Sequence, residues 1–165
     1  MTGPTSGGMF ELDFSDFSKK FLEYALKTAP EAAEKGMWEA LRELKADCDN
    51  VIPKTPLLEG NLRGDYTLIL EGITQSKAEE NSGGKGKDHA KGGASKPAER
   101  FGAKDIIAKL VFRMPYAAKW HEAVNKKVNW SEGGAGAKYC EAKLMMFAKK
   151  YMAIIAARIK EATGG

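Results

Sequence analysis

TPLLEGNLRGDYTLIL, residues 55 to 70, decides how this chain is read. Upstream, a helical pattern ends near Val51, just before Pro53. Pro56 and Gly60 then shape a turn, and Leu62 is placed to anchor that turn in a core. Tyr66-Thr67-Leu68-Ile69-Leu70 follows as the β-branched and aromatic run of a strand. A helix that hands over to a strand in a chain of 165 residues points to one α+β domain.

On the N-terminal side, residues 1–12 open as a Gly/Pro/Ser leader. They lack the basic and apolar regions of a secretory signal, which predicts synthesis in a cytoplasm. Phe14, Phe17, Phe21 and Ala25 then recur at helical spacing, with Asp13 or Ser15 as N-cap. Pro30 restarts the chain into a second helix, capped by Thr28 with Glu31 in its first turn, whose apolar stripe is Met37, Leu41, Leu44 and Cys48. Glu39, Glu43 and Asp47 repeat every four residues and predict one solvated face of that helix.

On the C-terminal side, residues 76–104 are rich in Lys, Gly and Ser, with Phe101 as their one large apolar side chain, so they cannot repay their ordering entropy alone. Asp105 to Phe112 resumes as a second strand, which makes 76–104 a long insertion between two strands of a hairpin. A short helical turn starts at Pro115, Lys126 to Trp130 reads as a third short strand, and SEGGAG is a loop. Lys138 to Ala162 reads as one long helix. Its first stripe is Cys140, Leu144, Phe147, Tyr151, Ile154 and Ile155, and its second is Met145, Met152 and Ile159. The expected fold is α+β: two N-terminal helices and a long C-terminal helix on a small, mostly antiparallel sheet. The folded body runs over 13–75 and 105–162.

The composition, 43% hydrophobic and 29% charged, suits a real core with a polar surface. No apolar run approaches the ~18–20 residues that span a bilayer. The net charge of +4 is unevenly placed. Residues 76–104 carry seven basic side chains (Lys77, Lys85, Lys87, Lys91, Lys96, Arg100 and Lys104) against four acidic ones, which leaves the folded body nearly neutral. These seven are the candidate docking residues of the insertion. Cys48 and Cys140 both fall on helical stripes and read as buried, reduced thiols, with a disulfide between the two helices as the alternative.

The patterns that carry chemistry are missing. The glycines of SGGKGKDHAKGG have neither the preceding strand nor the spacing of a phosphate-binding loop. His121-Glu122 is not a zinc-protease pair, because Asn125 stands where the second histidine belongs. No serine or cysteine sits in a nucleophile elbow. The sequence predicts a non-enzyme with no catalytic, metal-binding or cofactor-binding residues. Lysines in a flexible segment suit weak backbone contact with DNA, but no aromatic residue except Phe101 is there to stack on bases.

Three segments recur in a fixed order, and together they resemble the tail-completion or neck proteins of tailed phages, a head–tail joining family also described as minor capsid proteins. The first segment carries Thr55, Pro56, Gly60, Asn61, Leu62 and Arg63. The second carries Tyr116, Ala117, Trp120, His121 and Glu122, and the third Gly136, Lys138, Tyr139, Glu141, Ala142 and Leu144. The match runs over roughly residues 30 to 161 and leaves out the leader and the insertion. Leu57-Leu58-Glu59 departs from the family pattern before Gly60.

The resemblance implies a virion structural protein made in the host cytoplasm and acting without a cofactor. It implies a homo-oligomeric ring of about six or twelve copies at the neck, against portal, adaptor or stopper proteins on one side and tail-terminator or tail-tube proteins on the other. Non-specific contact with channel DNA goes with that position. A tail-terminator ring and a small DNA-packaging accessory protein are the alternatives. Within the motifs, Arg63 is expected to pair with Glu122 or Glu141, at a subunit boundary or within the domain.

Overall fold

The structure, a computed structural model, describes residues 10–13, 30–57, 61–82, 97, 105–114, 116–124, 127–130, 132–162 and 164. The elements in chain order are β1 (Phe10–Asp13), α1 (Pro30–Asn50), the single turn α2 (Asn61–Gly64), β2 (Asp65–Glu71), β3 (Ser76–Ser82), β4 (Ile107–Phe112), the short α3 (Ala117–His121), α4 (Glu141–Met146) and α5 (Ala148–Ala162). The strands form one antiparallel four-stranded sheet in the order β1-β4-β2-β3. The α+β class read from the sequence is the class observed.

The two strands read from the sequence are neighbours, with Leu68 opposite Leu110 and Tyr66 opposite Phe112. The period of two sends Leu68, Leu70, Ala108, Leu110 and Phe112 to the face that meets the helices. Ile69 and Val111, on the other face, are buried as well. Helix α1 lays Met37, Leu41, Leu44 and Cys48 into the core, the stripe expected of it. Its other neighbour is α5, which contributes Tyr151, Ile155 and Ile159. A Cβ on Gly36 would stand 2.8 Å from the Ile155 Cα, so the close approach of the two helices depends on a residue without a side chain.

Several expectations need correction. Residues 76–82 are not part of a structureless insertion: they form β3, paired along the whole of β2. SKAEENS carries no strand signal, but an edge strand exposed on both faces needs no apolar alternation. What recruits it is the row of backbone donors and acceptors that β2 would otherwise leave unpaired. The connecting turn is held by Glu34, a fully buried carboxylate on α1. Its Oε1 accepts from the Ile73 and Thr74 amides at 2.6 and 2.7 Å, and its Oε2 accepts from the Thr74 hydroxyl. Gly72 leaves the space that this carboxylate enters.

Asp13 is the last residue of an edge strand rather than a helix cap, and it pairs with Lys109. The first predicted helix lies outside the described residues. Residues 127–130 form no strand. The long C-terminal helix is broken at Phe147, whose backbone (φ −117°, ψ 21°) separates α4 from α5. No proline or glycine marks the break.

The acidic face of α1 is paired as well as part-solvated. Asp47 accepts from the Tyr151 hydroxyl at 2.7 Å and pairs with Lys150 at 2.8 Å. Glu43 meets the same lysine at 2.8 Å, and Glu39 meets Arg158 at 2.7 Å. A four-residue acidic row looks the same whether water or a basic helix faces it. Here α5 faces it, with Lys150 and Arg158 two turns apart.

Candidate functional site

The three segments that carry the sequence motifs meet. Thr55 closes the end of α1, its amide and hydroxyl both donating to the Cys48 carbonyl at 2.7 and 3.0 Å. Lys54 then pairs with the loop before α4: its amide donates to the Gly134 carbonyl at 2.7 Å, and its carbonyl accepts from Gly136 at 3.2 Å. Pro56 and Leu62 are buried beneath. Asn61 begins the single turn α2. Gly60 lies outside the described residues.

Arg63 locks this first segment to the loop before the third, though not through the expected partners. Its Nη2 donates to the Thr55 carbonyl and to Glu132 Oε2, both at 2.5 Å, and its Nε stands 3.9 Å from Asp49. The Arg63 hydrogen bond holds the Glu132 carboxyl below the ordinary carboxylate value. Glu122 and Glu141 are occupied elsewhere, by Lys138. Glu132 falls in the SEGGAG loop, outside all three motifs, and no spacing in the sequence marks it as a partner.

The second and third segments interlock around Lys138 and His121. The Lys138 backbone is left-handed at φ 56°, which brings its amide to 2.8 Å from the His121 carbonyl. Its ammonium lies 2.5 Å from Glu122 Oε2 and 3.0 Å from Glu141 Oε2. Burial works against that charge, but the two carboxylates outweigh it and hold the lysine pKa above its ordinary value. The Lys138 hydrogen bond in turn leads in holding Glu122 low.

The His121 ring is fully buried. Its Nε2 accepts from the Glu141 amide at 3.4 Å, which assigns the proton to Nδ1, 2.9 Å from Glu122 Oε1. Burial pulls the His121 pKa below its ordinary value, against the opposing hydrogen bond to Glu122. Tyr139 stands edge-on to both His121 and Phe112, with its hydroxyl donating to the Ala117 carbonyl at 3.0 Å. Tyr116 and Trp120 pack half-buried against the core, and Trp120 meets Trp130 edge-on at 5.7 Å. Leu144 is buried in the same core.

No family model matches the chain, and neither a curated protein nor a solved structure matches it.

Chemically, the junction is an ion-pair cluster. His121, Glu122 and Glu141 offer ligand atoms within 4.8 Å of one another, the donor set of a metal site. Yet the Lys138 ammonium already bridges the two carboxylates, and both imidazole nitrogens are engaged. The residues therefore fit a lysine in that position better than a metal ion.

Sequence reasoning missed Lys143. This fully buried lysine sits one turn into α4 and donates to the Pro53 carbonyl at 2.5 Å and the Tyr139 carbonyl at 3.1 Å. Burial leads in pulling its pKa below the ordinary lysine value. Of the candidate docking residues, only Lys77 is among those described, and its ammonium lies over the Trp38 ring at 4.3 Å. Lys85, Lys87, Lys91, Lys96, Arg100 and Lys104 lie outside them.

Large apolar side chains stand exposed beside the junction. Ile52 precedes the Pro53 that Lys143 holds, and Val124 follows Glu122 by two residues. Met145 and Met146, 65% and 55% exposed, end the helix that Lys143 anchors. None of the helices among the described residues is long and apolar enough to cross a membrane.

Proposed function

We propose that this chain is a structural protein of a tailed-phage particle, one subunit of a neck ring that joins the DNA-filled head to the tail. The observation that supports this reading is the shared junction. The second and third segments on which the family resemblance rests hold each other through their polar groups, the flanking residues Lys54 and Glu132 tie in the first, and Ile52, Val124, Met145 and Met146 project beside them. With the polar groups engaged internally, exposed apolar side chains are what this region presents to a neighbour, and a second copy of the chain is the occupant we assign. Repeated head-to-tail, such contacts close into a ring of about six or twelve subunits. Portal, adaptor or stopper proteins and tail-terminator or tail-tube proteins are then its neighbours, and the lysine-rich stretch after β3 is its docking element. A tail-terminator ring is the same reading with different neighbours.

Native mass spectrometry with a DNA mobility-shift assay tests the proposal. A ring-sized mass with no salt-sensitive DNA shift is expected. A monomer that binds duplex DNA with a steep salt slope overturns it in favour of a packaging accessory protein, the reading that the concentrated lysines favour. Deletion of residues 84–103 tests docking while sparing β3, and heads and tails that still join normally would rule that role out.

A further inference from the structure

The sheet ends on one side at β3, which pairs with β2 and with no other strand among the described residues. Two bonds fix which way its backbone points. The Gly72 amide donates to the Gln75 carbonyl at 3.0 Å across the hairpin, and the Arg113 amide donates to the Asp65 carbonyl at 3.1 Å on the other side of β2. Antiparallel partners alternate between bonded and non-bonded pairs. Lys77, Glu79 and Asn81 therefore bond to β2, while Ser76, Ala78 and Glu80 turn their amides and carbonyls outward. Ser76 and residues 78–81 are exposed. Such an edge is a template for one more strand.

We propose that the added strand is β3 of a second copy, antiparallel and two-fold symmetric about Ala78. In that register the outward groups face one another, Ala78 against the partner's Ala78 and Ser76 against the partner's Glu80. Lys77 then stands across from the partner's Glu79 as a non-bonded pair, the arrangement that brings side chains closest, and the symmetry makes this contact twice. Moving the two-fold by one residue sets Lys77 against its own copy or Glu79 against its own. A two-fold placed between residues mates outward groups with inward ones. Edge charges ordinarily hold strands apart, and here they select one register.

The remaining charges fit. Glu80 needs no cation from the partner, because Arg113 already pairs with it. Lys77 lies over the Trp38 ring on the same side of the sheet as Glu79. The opposite edge of the sheet suits β3 less well: β1 has four residues, FELD, and brings two acids and no cation. An edge of seven residues makes a small contact, so two single chains pair weakly and in dilute solution come apart. Repetition strengthens the pairing where assembled subunits meet. The contact uses a different surface from the one assigned to the ring, and neither depends on the other.

Sedimentation velocity of the full-length protein over a rising concentration series tests the pairing, with thermal midpoints in dilute solution to check the fold. The particle mass, ring or single chain, should double at high concentration. Glu79→Lys sets lysine against lysine and should abolish the doubling, and Lys77→Glu combined with Glu79→Lys should restore it. Ala78→Pro removes an outward amide, spares the β2 ladder and should abolish the doubling too. Residue-resolved amide exchange gives a reading that needs no variant. Protection at Ser76, Ala78 and Glu80 should rise with concentration, while Lys77, Glu79 and Asn81 stay protected throughout. A single chain that doubles in this way supports the β3 pairing and counts against the ring. Three outcomes overturn the proposal: a mass that never doubles, a charge-reversed double variant that fails to restore doubling, or doubling without new protection at Ala78.

Discussion

Lys138 reaches Glu122 at 2.5 Å from a backbone held at φ 56°, so one residue combines an ion pair with a left-handed turn. The conformation directs its amide to His121 and its ammonium between two carboxylates. Backbone and side chain therefore pull in opposite energetic directions. A left-handed conformation costs a non-glycine residue roughly 1–2 kcal/mol, and a partly exposed ion pair returns about 0.2–1 kcal/mol.

That balance predicts an ordering. Lys138→Gly removes the pair but also the strain, and should stay within about 0.5 kcal/mol of wild type in urea unfolding. Lys138→Val loses the pair and adds the further penalty of a β-branched side chain at positive φ, and should cost about 2 kcal/mol. Equal losses for the two variants would show that backbone strain does not govern this turn.

Gly36 predicts a packing cost that opposes helix propensity. Alanine is favoured over glycine in a helix by about 1 kcal/mol. Its Cβ, however, would meet the Ile155 backbone at 2.8 Å, and backbone cannot rotate away. Gly36→Ala should therefore destabilise by about 1–2 kcal/mol net, read as a lowered thermal midpoint. A stabilised variant would mean that α1 and α5 separate without penalty.

His121 predicts a pH dependence with a definite sign. Its folded pKa lies below the ordinary 6.5 because burial opposes the charge. The unfolded chain therefore binds the proton first as pH falls, and stability is full above pH 6.5 and declines below it toward the folded pKa. The Glu122 carboxyl, also held low, adds a separate loss as pH falls below its ordinary 4.5. Urea midpoints at pH 7.5 and 5.5 should differ in wild type and differ less in His121→Gln. An unchanged difference would place the titration elsewhere.

Arg63 predicts which acid it is coupled to. A double-mutant cycle with Glu132→Gln should give a measurable coupling, and cycles with Glu122→Gln and Glu141→Gln should give none. Arg63→Ala also strips a donor from the buried Thr55 carbonyl and should cost about 1–3 kcal/mol. Coupling to Glu122 in place of Glu132 would contradict the observed pairing.

Met145 and Met146 separate assembly from folding. Being exposed, they should accept Met145→Glu with Met146→Glu at a stability change within about 0.5 kcal/mol per site. If they seat a second subunit, the ring-sized mass should fall to monomer. A variant that still assembles fully removes them from the interface.

The local elements were legible in the sequence because each residue pattern encodes its own backbone period. The stripe Met37, Leu41, Leu44, Cys48 specified α1, and the β-branched and aromatic runs specified β2 and β4. The motif segments that meet in the junction were also visible as segments. Their partners were not. Arg63 binds Glu132, the acidic row of α1 faces α5, a strandless-looking SKAEENS completes the sheet, and the helix after Cys140 breaks at Phe147. Each of these is a non-local choice among chemically equivalent options. One carboxylate resembles another in sequence, and an edge strand is selected by the unpaired backbone beside it. Periodicity determined what each segment of this protein becomes, and only the folded chain decided which charges and backbone groups would meet.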